Sequence, residues 1–267
     1  MKILCLFIQN GGEKYPQALD ELDAWYNKHG LLENRELRII DNSLLLGTPT
    51  IQLEPRTRIQ PGDNSAWEFS SWRKAIEDES DQNGQIYSLV HCVTSAFNTL
   101  YTRYLDHFSP WMLKAVEEQQ MALGHIDTFP SPMRFENRIV ESWIRSCFFF
   151  LPWDEALPSK REWVRFDSRD ELFVSDNDCS FLPQGPFSKD LQKHFTGWLL
   201  GQERGGHVWH SPIDISSATD LSHFQSKCLA IANEQAFSAN IRDQGLPICD
   251  YCWLWHHPPE KDLSVPT

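Results

Sequence analysis

The stretch Lys2-Ile3-Leu4-Cys5-Leu6-Phe7-Ile8 decides the fold class of this sequence. It is an almost unbroken apolar run that ends at Gly11-Gly12, and such runs are typical of parallel strands covered on both faces. Working outward from it, the hydrophobic spacing predicts a helix through 19–26, a second strand at 37–40, a helix at 64–77 and a third strand at 86–90. Strands that alternate with helices in this way predict an α/β fold.

The remainder of the chain has a less regular pattern. Residues 188–200 and 221–241 predict two helices, and residues 140–151 predict either a strand or a buried helix. Residues 248–255 predict an apolar terminal strand. Because no stretch has the composition of a linker, we expect one domain over residues 1–267.

The charge balance argues against a protein that coats nucleic acid. The sequence has 24 Lys+Arg against 37 Asp+Glu, a formal net charge of −13, whereas neutralising phosphates needs a basic face. The first apolar run is shorter than the core of a signal peptide or a membrane-spanning helix, so we expect a cytoplasmic protein. The seven cysteines, mostly in apolar stretches, are expected to be reduced core residues.

Three strand ends carry the candidate binding residues. Ligands of open α/β sheets bind outside the carboxyl ends of the strands, and these ends are Gln9-Asn10-Gly11-Gly12, Asp41-Asn42-Ser43 and Val90-His91-Cys92. Glycine lets a backbone approach a ligand closely, and a short Asp accepts hydrogen bonds from ribose or base groups. On composition alone, Asp-Asn-Ser is also an ordinary turn.

Two segments resemble GT-A glycosyltransferases of the family 2-like group. Ile39-Ile40-Asp41-Asn42-Ser43 looks like the second strand and nucleotide loop of that group, and Gly-Asp-Asn-Ser-Ala-Trp-Glu-Phe-Ser-Ser-Trp at 62–72 is similar to a stretch of bacterial polysaccharide and O-antigen enzymes. The resemblance covers residues 1–100. It implies a GT-A-like, Rossmann-type mixed sheet flanked by helices, with a nucleotide-binding half at 1–100, an irregular acceptor-binding half at 101–257 and a tail at 258–267.

The activity that this resemblance implies is transfer of a sugar from a nucleotide-sugar donor to a glycan or lipid-linked glycan acceptor. The setting would be bacterial surface polysaccharide synthesis in the cytoplasm, peripheral to the inner membrane. Trp67 or Trp72 is expected to line the cleft, because aromatic faces stack on sugar rings. The expected nucleotide-sugar-binding residues are Gln9, Asn10, Gly11, Asp41, Asn42, Ser43, Asn64, Trp67, Glu68, Trp72, His91 and Arg145.

The catalytic candidates are carboxylates in the second half of the chain. An inverting transferase needs a carboxylate or His that takes a proton from the acceptor hydroxyl. Asp127, in Gly-His-Ile-Asp-Thr after a predicted helix, is preferred, and Asp178 is the second choice; Asp176 and Asp190 remain as alternatives. Each of these acids could instead be a helix cap or a solvated surface residue.

The usual Asp-x-Asp motif of GT-A enzymes, which holds Mn²⁺ or Mg²⁺ on the diphosphate, is missing from its expected place. Residues 89–95 contain no carboxylate there, and Asp176-Asn177-Asp178 comes much later. One interpretation is a metal-independent enzyme that neutralises its leaving group with arginines; the other is a non-catalytic GT-A-like domain that binds a glycan or a protein. The arginines available for that purpose are Arg73, Arg103, Arg134, Arg138 and Arg145.

A second alternative is a small zinc-binding protein. Cys249-Asp250-Tyr251-Cys252 is a C-x-x-C pair followed by His256-His257, and His207-Val208-Trp209-His210 is an H-x-x-H pair. Zinc takes four such ligands tetrahedrally. The sequence has no P-loop, G-x-S-x-G or H-E-x-x-H motif, which argues against P-loop kinase, hydrolase and zincin functions.

Overall fold

The computed structural model describes residues 1–83, 86–100, 102–201 and 212–258. In these ranges, eight strands form one mixed sheet in the order β3-β4-β2-β1-β5-β7-β6-β8. The strands are β1 (Ile3–Gln9), β2 (Arg35–Asp41), β3 (Ile51–Glu54), β4 (Thr57–Pro61), β5 (Leu89–Thr94), β6 (Ala122–Phe135), β7 (Arg138–Pro152) and β8 (Ile248–Asp250). The helices are α1 (Ala18–Lys28), α2 (Glu68–Asn83), α3 (Phe97–Leu100), α4 (Trp111–Gln119), α5 (Trp153–Ala156), α6 (Lys189–Leu199), α7 (Ala218–Asp243) and α8 (Tyr251–His256). Short 3-10 helices cover Leu32–Asn34, Thr102–His107 and Arg169–Glu171.

β1 lies inside the sheet because both of its faces are apolar. Cys5 and Phe7 pack in a core with α1, α4 and α8, whereas Leu4 and Leu6 pack on the other face with α2, α5 and α7. The protein is therefore a mixed α/β sheet flanked by helices, which confirms the predicted fold class at that level.

The order of the parallel strands places a topological switch point beside β1. β1 pairs in parallel with β2 on one side and with β5 on the other, and β2 continues in parallel to β4. The chain thus builds outward from β1 in one direction and then returns to build in the other. Sheets of this kind bind ligands in the crevice at the carboxyl ends of the two strands where the direction reverses.

The C-terminal half is more regular than expected, because it adds three strands to the same sheet. β7 is antiparallel to β5 and to β6, and β8 is parallel to β6. The sequence of β6 looks like a loop because Pro130 and Pro132 interrupt it, and the pairing with β7 shifts between Thr128 and Met133. Beyond that shift, the hairpin packs with α6 and α7 in a third apolar cluster. Helix and strand are sparse mainly over 157–187.

Two of the element boundaries that differ from the predicted ones affect the site. The helix expected over 64–77 begins at Glu68, because a turn precedes it in which the Ser65 amide donates to Asp63 Oδ1 at 3.0 Å. The strand expected over 86–90 runs from Leu89 to Thr94. His91 therefore lies in the middle of β5, and the carboxyl end of that strand is at Thr94.

The segment 248–255 is not one strand, because an aspartate caps a helix inside it. Asp250 Oδ1 accepts hydrogen bonds from the Cys252 amide at 2.8 Å and the Trp253 amide at 3.3 Å. The chain therefore leaves β8 and starts α8 at Tyr251.

The cysteines and the helices bear on two further expectations. All seven cysteines are described, all are free, and five of them are buried, as the sequence predicts. None of the helices in the described ranges combines the length and apolarity needed to cross a bilayer.

Candidate functional site

Asp41 joins the ends of β1 and β2 through four hydrogen bonds. Its Oδ1 accepts from the Gly11 amide at 3.0 Å, the Ser43 amide at 2.9 Å and the Ser43 hydroxyl at 2.7 Å, and its Oδ2 accepts from Gln9 Nε2 at 2.8 Å. Burial by itself raises the pKa of Asp41, but these bonds outweigh it, and the pKa lies below its ordinary value. Asp41 as a whole residue is 6% exposed, so it shapes the loop at the strand ends and offers little surface to a ligand.

Asn42 links the same loop to the start of α2. The Ser71 hydroxyl donates to Asn42 Oδ1 at 2.8 Å, and Asn42 Nδ2 donates to Asn64 Oδ1 at 3.0 Å. A Cβ atom at Gly62 would lie only 1.8 Å from Asn42 Oδ1, so a larger residue would displace the Asn42 side chain from this position. The structure therefore brings the two segments that carry the family resemblance into direct contact.

A bulge in the β6–β7 pairing lies beyond the end of β5. The pair Gly124–Phe149 is followed by Ile126–Ile144, so residues 145–148 face the single residue His125. Since the outermost β5–β7 pair is Val93–Phe148 and β5 ends one residue later at Thr94, residues 145 and 146 lie past the carboxyl end of β5. Bulges re-aim side chains and are enriched next to active sites, and this one presents Arg145 and Ser146 at the ligand-binding edge.

Glu68 and Glu234 both bind Ser146 in this bulge, and we call these three residues the carboxylate pair site. The Ser146 hydroxyl donates to Glu68 Oε1 at 2.7 Å, and the Ser146 amide donates to Glu234 Oε1 at 2.7 Å. Burial raises the pKa of Glu234 to about 7; the bonds from Ser146 oppose this shift and the negative charge of Glu68 adds to it. Burial also raises the pKa of Glu68. The site therefore has a carboxyl group that can hold or release a proton near neutral pH.

Asp127 is engaged in an ion pair at the same bulge. Arg145 Nη2 lies 2.9 Å from Asp127 Oδ1, and Arg145 Nε donates to Oδ2 of the same carboxylate. His125 Nε2 lies 3.8 Å from Asp127 and His125 Nδ1 lies 3.1 Å from Asp250. Burial raises the pKa of Asp250, but hydrogen bonds, including one from the Ile126 amide, bring it down to about 2. This network fixes Asp127 as the partner of a guanidinium rather than as an available base.

Trp72 and His91, expected at the cleft, both lie in the core. Trp72 is fully buried, and its Nε1 donates to the Leu6 carbonyl at 3.2 Å. His91 is fully buried between the Tyr26 hydroxyl, 2.7 Å from its Nδ1, and the stacked ring of Phe150. Burial lowers the pKa of His91 far below its ordinary value, so the ring is neutral. These two expectations are corrected: neither side chain has exposed surface for a ligand.

Asp178 does not belong to the edge site. It lies in an exposed turn, where its Oδ1 accepts from the Ser180 amide at 3.0 Å and the Ser180 hydroxyl at 2.9 Å. Its backbone carbonyl accepts a hydrogen bond from Gln225 on α7. The literal Asp176-Asn177-Asp178 motif is thus a local turn, and we withdraw Asp178 as a catalytic candidate.

The described residues do not supply a metal-binding set at the edge. Within them, no group of three or more His, Cys, Asp or Glu side chains is arranged to hold a metal ion. The H-x-x-H pair of the zinc alternative, His207 and His210, lies outside the described residues.

The sequence pattern of α7 indicates a part of the site that does not lie at a strand end. His223, Lys227 and Glu234 stand four and seven residues apart on α7, a spacing that puts all three on one face of a helix. The neighbouring face of α7 contacts β7, where Ser238 Oγ accepts a hydrogen bond from the Ile144 amide at 3.1 Å. A charged stripe on a helix of which half the residues are buried therefore marks the wall of the site.

No family model matches this sequence, and no curated protein matches it.

Proposed function

We propose that this protein transfers a glycosyl group from a nucleotide-sugar donor to a hydroxyl acceptor at the carboxyl edge of its sheet. The observation that carries the proposal is the position of the carboxylate pair site, which lies past the end of β5 and hence beside the switch point. A group that exchanges protons near pH 7 stands where this sheet architecture binds its ligands.

The donor nucleotide would lie against the loops after β1 and β2. Gln9, Asn10 and Gly11 form the first wall, and Gly11 and Gly12 have φ values of +74° and +71° that favour glycine. Asn42 and Ser43 form the second wall. Asp41 supports both walls through its hydrogen bonds, so we assign it a positioning role.

Glu234 is the proposed catalytic base. The acceptor oxygen forms a bond to the anomeric carbon, the bond from that carbon to the phosphate oxygen breaks, and the electron pair leaves with the nucleoside diphosphate. The acceptor proton passes to Glu234, whose pKa of about 7 suits a base that works near neutral pH. Glu68 shares Ser146 with it and keeps that pKa high. Asp127 positions Arg145 at the edge instead of acting as the base.

The experiment that tests this function measures nucleoside diphosphate release from a panel of nucleotide sugars, with glycan acceptors and with or without a chelator. We expect turnover with one donor class, and we expect Glu234→Gln to reduce it by about 10²–10⁴-fold, the usual contribution of general base catalysis. Glu141→Gln is the matched control, because Glu141 is an exposed glutamate on β7, the strand that carries Ser146. It should leave turnover unchanged.

Two results would argue against the proposal in different ways. If calorimetry finds no binding of any nucleotide, the whole assignment is wrong. If nucleotides bind and no donor or acceptor gives turnover, the non-catalytic binding domain becomes the better description. The bacterial polysaccharide acceptor and the place at the inner membrane face belong to the same proposal, and they rest on the resemblance of residues 39–43 and 62–72.

A further inference from the structure

Two basic side chains of α7 lie against the indole ring of Trp67, next to the carboxylate pair site, and a third basic side chain contributes its charge. Lys227 Nζ lies 5.4 Å from the centroid of the Trp67 ring, and the ring centroid of His223, one turn away on α7, lies 6.3 Å from it. Lys14, in the loop after β1, is close enough to influence both. We call Lys14, His223 and Lys227 the basic triad.

The members of the basic triad repel one another. Burial lowers the pKa of Lys227; Glu68 opposes this shift and Lys14 adds to it. Burial and the positive charges of Lys227 and Lys14 also lower the pKa of His223. Among the described residues, no carboxylate forms an ion pair with Lys227, whose ammonium lies over the indole ring. An anion bound at this point would relieve the repulsion, because it would be attracted by the positive charges of Lys227 and Lys14.

Trp67 holds a backbone conformation that bulky residues rarely adopt. Its φ is +56°, in the left-handed region that L-residues with large side chains avoid. Ser70 stabilises this turn, because its hydroxyl accepts from the Ala66 amide at 3.0 Å and donates to the Trp67 carbonyl at 3.1 Å. Residues held in this way cluster at ligand sites, and here the strain sets the indole beneath Lys227 and His223.

We infer that the basic triad, on its Trp67 platform, is the site that binds the diphosphate group of a nucleoside diphosphate ligand. The inference rests on the proposed function only for the sugar that the diphosphate carries. Lys227 and Glu234 are seven residues apart, which is about 10 Å along a helix axis. This spacing sets a diphosphate at Lys227 and a reacting sugar at Glu234, while the nucleoside extends towards Lys14 and the end of β1. It also assigns the neutralising role to side chains other than the arginines that the sequence suggests.

The test is calorimetric titration of the full chain with inorganic pyrophosphate, which contains the proposed group and no sugar or base. We expect the protein to bind pyrophosphate and Lys227→Met to weaken the binding about tenfold or more, the effect of losing one charged contact. Lys193→Met, an exposed lysine on α6, is the matched control and should bind as the unmodified protein does. Circular dichroism checks that each variant is folded, and Lys14→Met at an exposed position serves if Lys227→Met does not fold.

Absence of pyrophosphate binding would overturn the inference, and so would equal binding by the protein and by Lys227→Met, or by Lys14→Met where that variant serves. Its failure and that of the proposed function can be told apart. If the protein turns over a nucleotide sugar and the triad variants bind pyrophosphate as the unmodified protein does, the triad is not the diphosphate site and the proposal of glycosyl transfer stands. If pyrophosphate binding requires Lys227 but no donor is turned over, the triad is an anion site and the proposal of glycosyl transfer is wrong.

Discussion

Asp41 and Glu234 lie at the same edge of the sheet, yet their surroundings shift the pKa values of their carboxyl groups in opposite directions. Asp41 accepts four hydrogen bonds from the loops after β1 and β2, and its pKa falls. Glu234 accepts a hydrogen bond from the Ser146 amide and faces the like charge of Glu68, and its pKa rises to about 7. Hydrogen bonds to a charged form favour it, whereas burial beside a like charge disfavours it.

This difference indicates which of the two carboxylates has a structural role. A side chain whose acceptor sites are filled by its own chain stabilises the fold and has little left for a ligand. A side chain that the fold leaves poorly compensated lowers stability, and such groups are concentrated at functional sites. This assignment can be tested by removing each carboxylate and by distorting β7, whose Ser146 amide binds Glu234.

The largest expected effect is on stability at Asp41. Asp41→Ala leaves the amides of Gly11 and Ser43 without their acceptor, at a cost of about 2–4 kcal/mol in the free energy of unfolding. Urea denaturation measures this loss. Asp178→Ala is the control, because Asp178 also accepts from a following serine, Ser180, but in an exposed turn; its cost should stay below about 1 kcal/mol. Equal costs would remove the structural role assigned to Asp41.

A smaller effect is expected from distorting the bulge without touching a carboxylate. A Cβ atom at Gly124 would lie 2.6 Å from Ile144 Cδ1 and 2.9 Å from Phe149 Cβ, so Gly124→Ala should cost about 1–3 kcal/mol through overpacking. It should also reduce turnover, because Ser146 would be displaced. Gly245→Ala, whose Cβ meets nothing within 4 Å but which has a φ of +78°, controls for the loss of a glycine. If Gly124→Ala is destabilised but keeps full turnover, the geometry of the bulge is not needed for activity at the site.

The smallest effect is a pH-dependent gain in stability. The folded-state pKa of Glu234 is about 7 against an ordinary value of 4.5, so the folded protein holds this proton more tightly than the unfolded chain does. The corresponding stabilisation is full below about pH 4.5 and is lost as the pH rises through 7. Gln does not titrate. A shift of this size corresponds to about 3 kcal/mol, but Glu234 is only partly buried and solvent screens its charge, so Glu234→Gln should be about 1–2 kcal/mol more stable relative to the unmodified protein at pH 8 than at pH 4.5. Parallel unfolding curves from pH 4.5 to 8 measure this difference, and a constant offset would contradict it.

The elements with strong hydrophobic periodicity are predictable from the sequence, and the site is predictable only in part. β1, α1, α6 and α7 follow from their apolar patterns. The bulge does not, because it depends on which residues of β6 and β7 pair, and no local pattern records that pairing. The apolar pair Ile86-Tyr87 suggests a strand that in fact starts at Leu89, and this shift moved His91 to a strand end where it does not lie.

The family resemblance and the helix pattern carry different parts of the site. Residues 39–43 and 62–72 lead to the loops that meet at Asn42 and Ser71. The partners of Ser146 come from α2 and α7, and only the fold brings these two helices to one strand. The left-handed turn at Trp67 has no sequence marker, since glycine or asparagine would be expected there.

The four-against-one mismatch in the β6–β7 pairing also bears on how this architecture can diversify. The strand pairs on either side, Gly124–Phe149 and Ile126–Ile144, are in register with their own partners. A residue gained or lost between 145 and 148 would therefore change the length of the bulge and leave both registers as they are. The residues of the proposed site and the residues that hold the strand register therefore occupy adjacent positions of one strand, and an insertion or deletion could change the first without the second.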